Sequence, residues 1–306
     1  MIEESKLPSL LPDHASAKRN LKIRSNKQNF WFGVMWIFGL FTLIVLLLVI
    51  GYVIIQGAKV IDWQFLSTAP RGGLSGEGGI STTLGTTLYL VVLTILIAAP
   101  LGVGAAIYLI EYTGEQSLTS PIMRAMIAIA NFAVETLSGI PSIIYGLFGY
   151  ALFVSVLRFG WSLLSASLAG ACLVLPTVIR TTEEALLAVP DDYRRGSLAL
   201  GATKWQTLYK VVLPAASPGI ITGIILSVGR IISETAVFFV TLGGSHRLPT
   251  SIMDGGRTLA MHVYYLAMDT NAFDKAMGTA AVLVVLIILI NLTIDIISRK
   301  LTSKFR

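Results

Sequence analysis

The chain is 306 residues long, 54% apolar and only 13% charged, with a mean hydropathy of +0.76. That is too apolar for a water-soluble domain of this length, and the spacing of the apolar runs points to a single all-α membrane domain without a separate globular part. The lone Cys172 excludes an intrachain disulfide and a Cys-rich metal frame, and His14, His246 and His262 are too scattered for a two-histidine helical site, so no metal or redox cofactor is expected. The net charge of +6 is spread along the chain as membrane topology requires, rather than gathered into a nucleic-acid patch.

Residues 1–30 are polar and basic, contain Pro8 and Pro12 and lack a strong apolar face, so a mostly disordered tail is expected there. Residues 31–298 form the membrane domain and 299–306 a second tail. A hydrocarbon core of about 30 Å needs roughly 20 helical residues. Six runs answer to this, at 32–55, 84–110, 141–157, 162–179, 215–241 and 277–297. The first is longer than a signal-peptide core and has no evident small-residue cleavage site, so it is expected to stay as an anchor. Residues 121–140 are also apolar but hold Arg124, Asn131 and Glu135 and run into Gly139-Ile140-Pro141. They read as a membrane-surface helix or a broken lead-in to the third span; the alternative is a complete seventh span, which would reverse everything after it.

Orientation follows from basic residues, which concentrate in short cytoplasmic loops. With six spans and both ends inside, sixteen of the 23 Lys and Arg fall on the cytoplasmic side and six outside, leaving Arg230 within the fifth span. Glycines within spans, such as Gly102, Gly104, Gly146, Gly149 and the Gly219-x-x-x-Gly223 pair, read as close-packing positions between helices.

The segment at 181–214, between the fourth and fifth spans, is too polar to cross a bilayer. Asp191 is expected to cap a short helix after Pro190, and Gly201 to supply the left-handed residue that ends it. Thr203 and Gln206 have the spacing of a capping box for a second short helix, ended by Pro214 at the membrane. Two amphipathic helices across 191–208 suit insertion into a partner's groove, with Leu198, Leu200, Trp205, Leu208 and Tyr209 as apolar anchors and Arg194, Arg195 and Lys204 around them. The segment resembles the coupling loop of the ABC importer permease family, which reads E-A-A, three residues, G, nine residues, I-x-L-P. Here Gly201-Ala202-Thr203 opens the stretch that reaches Val211-Val212-Leu213-Pro214 at the family spacing, while Arg195-Gly196-Ser197 stands in place of Glu-Ala-Ala. The resemblance implies docking onto a nucleotide-binding subunit. The chain has no G-x-x-x-x-G-K-[ST] loop, so ATP and Mg are expected on a separate ATPase and this chain is expected to be a transport subunit, not an enzyme.

Ionisable residues at membrane depth are costly and face a partner or a watery cavity. In GRIISETAVFF, Arg230 and Glu234 lie four residues apart and are expected on one helical face, with Glu234 holding Arg230 in place. Glu135 and Arg180 are further candidates for the same polar interior. An arginine fork matches an oxyanion better than a lysine does, and a packing ion pair is the competing reading.

The stretches ETLSGIPSIIYGLFG at 135–149, LGATKWQT at 200–207, GRIISETA at 229–236 and GAAIYLIEY at 104–112 resemble the phosphate-specific permeases, nearer to the PstA type than to the PstC type. By that resemblance Arg180 and Arg230 match arginines associated with transport, and Glu135 and Glu234 match membrane-embedded acids. It implies an inner-membrane importer with a PstC-like second permease, a PstB-like ATPase dimer and an external PstS-like phosphate-binding protein. Open alternatives are a permease for sulfate or molybdate, an ATP-independent secondary transporter or channel, and a membrane enzyme, the last without any recognisable nucleophile and base. The glycine-rich stretch at 71–79, and Asp254, Arg257, His262, Asp269 and Asp274 in the last external loop, read as solvated or as contacts for the external protein.

Overall fold

The computed structural model describes residues 14–71, 76–112, 121–270 and 272–302, and among these every regular element is helical. Helix α1 (His14–Ala58) is one 45-residue rod. The chain as far as Val53 is a compact unit of its own, and Ile54–Arg306 is a second. The N-terminal tail thus differs from expectation: residues 14–30 are helical. They contain Ala15, Ala17, Lys18, Leu21, Lys22 and Arg24, all good helix formers, with no proline or glycine before Gly33. Residues 1–13 and 303–306 lie outside the described part.

In the second unit a short α2 (Trp63–Ser67), capped by Asp62, leads to α3 (Ser81–Ile107) and a π-helical turn at Tyr108–Tyr112. Then come α4 (Pro121–Ser138), α5 (Ser142–Gly149) with a π-helical extension at Tyr150–Val156, and α6 (Leu163–Leu187). Helices α7 (Asp191–Ala199) and α8 (Lys204–Thr207) follow, and α8 runs through a π turn at Leu208–Val212 into α9 (Leu213–Ser233). The chain ends with α10 (Ala236–Thr241), α11 (Leu259–Met268) and α12 (Phe273–Thr302). Among the described residues five stretches are long and apolar enough to cross a membrane, and the pair around Gly139, bent by 111°, makes a sixth if taken as one span.

Helix register shows how many times the chain crosses. Gly102 of α3 touches Val178 of α6, and Thr94 touches Gly170, a constant offset in sequence, so α3 and α6 run parallel. Gly219 and Gly223 of α9 meet Ala185 and Thr181, so α9 runs antiparallel to α6. Parallel α3 and α6 require an odd number of crossings between them. Complete crossings by both α4 and α5 with its π extension would make that number even, so the seven-span alternative does not fit this register. The bend has a local cause: Pro141 has no N–H, and it disfavours helical backbone at Ile140. The Tyr145 hydroxyl then donates to the Leu137 carbonyl at 2.6 Å, which also accepts from Ile140 N–H at 3.2 Å, so α5 is tied back to the end of α4.

Helix α6 is the hub. Its residues Ala166, Ala169, Leu173 and Val174 join Leu90 of α3, Tyr145 of α5, Val228 and Ile231 of α9 and Phe238 of α10 in one buried cluster. Small residues permit this. A Cβ added at Gly149 would lie 2.6 Å from that of Ala169, one at Gly219 2.6 Å from that of Ala185, and one at Gly102 2.7 Å from Val178 Cγ1, while one at Gly223 would overlap the Thr181 hydroxyl. The packing reading of Gly219, Gly223, Gly102 and Gly149 therefore holds, whereas an added Cβ at Gly104 meets nothing within 4 Å.

Two expectations for the fifth span are corrected. The run at 215–241 is not one helix: α9 stops at Ser233, Glu234 is extended (φ −74°, ψ 133°), and α10 begins two residues later. Pro214 ends nothing either. It sits where the π turn passes into α9, and the helix runs on from Lys204 to Ser233 despite the missing N–H.

Gly223→Leu is expected to destabilise the protein by about 1–3 kcal/mol through overpacking, and Gly104→Ala to leave stability unchanged; thermal unfolding of both variants in detergent checks this.

Candidate functional site

Arg180 sits in the last two turns of α6 and pairs with Glu183 at 3.2 Å, the arginine side chain 46% exposed and the glutamate 8%. Arg230, in the last turn of α9, is exposed, with Val228 and Ile231 beside it buried. From the antiparallel register of α6 and α9, the two arginines lie roughly 9 Å apart along the helix axes at 1.5 Å per residue. The structure thus sets two exposed guanidinium groups about two turns apart on adjoining helices.

The acids behave differently from expectation. Glu234 does not share a helical face with Arg230, because the helix has ended. Its carboxylate instead accepts from the backbone N–H of Ala236 at 3.1 Å, with Val237 N–H at 3.5 Å, at the N-terminus of α10. A carboxylate there satisfies orphan donors and meets the positive end of the helix dipole. Glu135 is exposed on α4 and is not drawn to either arginine by any ion pair among the described residues. Glu183 is the acid that sequence reading missed, and its signal was the i,i+3 spacing from Arg180.

The segment at 191–208 folds largely as its sequence directs. Gly201 has φ +85° and ends α7, and Thr203 and Gln206 form both bonds of the capping box. The hydroxyls of Ser197 and Thr207 lie 2.9 Å apart and tie α7 to α8. Asp191 is the first helical residue rather than the cap; Pro190 holds that place and makes no side-chain bond. Leu200 is 91% exposed at the bend, and Leu198, Trp205 and Tyr209 are exposed as well, the last two stacked with centroids 6.5 Å apart. Gly201, Ala202 and Thr203 form the turn between the helices, and Arg195 and Lys204 are exposed. Two residues depart from expectation. Leu208 is buried at 3% exposure against Leu186, Val189, Val212 and Ala216, so it is core rather than anchor. Arg194 folds inward and pairs with Glu111 at 2.8 Å.

Residues 128–306 match the family described as binding-protein-dependent transport system inner membrane component. The chain belongs to this family. It is also 33% identical to a probable ABC transporter permease protein of Bacillus subtilis (strain 168), over 87% of this chain and 95% of that one. The phosphate transport system permease protein PstA of Mycobacterium leprae is 35% identical over 89% and 87% of the two chains. A bacterial alginate ABC transporter solved with its substrate-loaded periplasmic protein has the same fold, with a TM-score of 0.63 at 15% identity over 91% of this chain and 97% of that one. The inward-facing methionine transporter MetNI gives a TM-score of 0.54 at 25% identity over 73% and 94%. The chain is therefore a multi-pass membrane permease of the type I ABC importer fold, a transport component.

At the permease's other end, the start of α3, the loop after α10 and the starts of α11 and α12 are tied together. Thr82 donates to the His246 carbonyl at 2.7 Å, Leu259 N–H to the Thr87 hydroxyl at 2.9 Å, and Lys275 to the Gly76 carbonyl at 2.9 Å. Three of the residues read as solvated are structural here. Arg257 stacks over Tyr265 at 3.8 Å and donates to the Gly244 carbonyl. His262 is buried, and burial together with Arg257 and Lys275 pushes it down to about 4, so it is neutral near pH 7. Asp254 gathers the Thr250 hydroxyl and the N–H groups of Thr250 and Ser251, which hold its carboxyl below the usual range.

Leu208→Ala should cost about 2–5 kcal/mol of stability by leaving a cavity, while Leu200→Ala and Trp205→Ala should each stay within about 0.5 kcal/mol; denaturation of the three variants separates core from free surface.

Proposed function

We propose that this chain is the membrane permease of an ATP-driven importer of inorganic phosphate, in which Arg180 and Arg230 line the anion's path. The observation that carries the reading is the pair of exposed arginines on adjoining helices, in a chain similar over most of its length to a phosphate permease. A phosphate presents several acceptor oxygens and one to two negative charges, which a planar guanidinium fork matches. Two such groups about two helical turns apart can pass an anion between them without either holding it tightly. Glu183 shares Arg180's charge and weakens its grip, which favours release.

The end bearing α7 and α8 faces the cytoplasm, and both termini lie on that side. The basic residues support this orientation, because the segment from Arg180 to Lys210 and both tails hold most of them. Leu198, Leu200, Gly201, Ala202, Thr203 and Trp205 form the surface that enters the groove of a PstB-like ATPase, which holds ATP and Mg. Pro214 starts α9 above this surface. A PstC-like permease completes the pathway, and a PstS-like protein delivers phosphate at the opposite end. ATP-driven closure then moves the α7–α8 bend and switches the path between outward-open and inward-open states.

The test is uptake of radiolabelled phosphate at low external concentration by cells lacking this chain. Wild type should restore uptake that excess sulfate or molybdate does not reduce. Arg230→Gln, equally expressed and assembled, should restore at most a tenth of it, since a charge-assisted hydrogen bond is worth about 1.5–3 kcal/mol. Full restoration by Arg230→Gln would make Arg230 a packing residue, and competition by sulfate or molybdate would replace phosphate as the substrate.

A further inference from the structure

Helix α6 ends where its last carbonyls have no partner within the helix. Arg194, reaching back from α7, adds donors there and just beyond: Nη2 donates to the Leu186 carbonyl, which also accepts from Val189 N–H, and Nη1 to the Val189 carbonyl past the helix end, both at 2.8 Å. The same guanidinium also grips Glu111 in the π turn that ends α3, with Nη2 2.8 Å and Nε 3.1 Å from Oε1. One side chain therefore joins three elements. Both members of the pair are 18% exposed, so solvent screens them far less than a surface pair.

The packing around the pair is uneven. On one side, Leu186, Val189, Leu208, Val212 and Ala216 form a dry block that fixes the end of α6 to the start of α9, with Ile107 of α3 and Ile110 of its π turn packed against it. On the other, a cleft of about 190 Å³ opens between Glu111 and Tyr112 of the π turn and Arg194, Leu198 and Lys204 of the coupling segment. The α7–α8 bend is thus held to α6 and α9 by apolar contact, and to the end of α3 by the ion pair together with Ile107 and Ile110 at the edge of the apolar block. A π turn is a rare interruption of α-helix that is found frequently at functional sites.

We infer that the Arg194–Glu111 pair is the link through which displacement of the α7–α8 bend is passed to α3, so that it sets how much substrate is moved per ATP hydrolysed. The inference rests on the proposed importer function. Pulling on Glu111 shifts the end of α3, whose Gly102 is seated against Val178 of α6, two residues before Arg180. Arg194 and Glu111 are positioning residues; neither is assigned contact with the anion.

The two jobs of Arg194 are separable at Glu111. Glu111→Gln keeps the size of the side chain and leaves Arg194 free to cap α6, but removes the charge; Glu111→Ala removes the link altogether. In the assembled complex reconstituted into vesicles, with ATPase rate and phosphate uptake measured together, Glu111→Ala should keep at least half of the ATPase rate while uptake per ATP falls at least fivefold. Glu111→Gln should fall between it and wild type. Equal uptake per ATP in wild type and Glu111→Gln would overturn the inference, as would ATPase and uptake declining in proportion in either variant. If Glu111→Ala does not assemble, the Glu111→Gln ratio decides alone. Absence of ATP-dependent phosphate uptake by the wild-type complex would instead defeat the importer reading.

Discussion

Within a bilayer the lipid is as apolar as the side chains, so helices gain little by hiding from it and must be held by close contact. In this permease that contact converges on α6, which α3, α5 and α9 approach through Gly102, Gly149, Gly219 and Gly223. Each glycine lets backbone meet side chain where a methyl group would collide. The register that results is what places Arg180 and Arg230 about two turns apart and rules against α4 and α5 both crossing in full.

The same helix organises the coupling end. A helix that finishes at a membrane surface must satisfy its final carbonyls, and here the donor comes from the next helix in the chain. Capping and tertiary anchoring therefore meet in one side chain: Arg194 bonds the end of α6 from α7 and reaches the π turn after α3. The apolar block beneath, including Leu208, packs the end of α6 against the start of α9, and leaves Leu200 and Trp205 exposed at the surface.

Much of this was legible in the sequence because it is written in local chemistry. The spans, Gly201 at its left-handed turn, the Thr203–Gln206 capping box and the break at Gly139-Ile140-Pro141 follow from hydropathy and backbone preference alone. What was misread depended on tertiary contact. Leu208 and Arg194 share the amphipathic pattern of their exposed neighbours, and only the packing of α6 against the start of α9 shows that they turn inward. Glu234 has helical spacing from Arg230, yet no local signal announces that α9 stops at Ser233. The buried His262 likewise carries no sequence mark that separates it from a solvated loop histidine.

The account joins a coupling surface, a packed helical hub and an anion path into one device that spends ATP to move phosphate. The most direct measurement is phosphate accumulation in vesicles holding the complete complex and its external binding protein, supplied with ATP or with a non-hydrolysable analogue on the coupling side. Accumulation above the external concentration with ATP, and none with the analogue, is the predicted result. Phosphate that equilibrates across the membrane at the same rate with either nucleotide would contradict it.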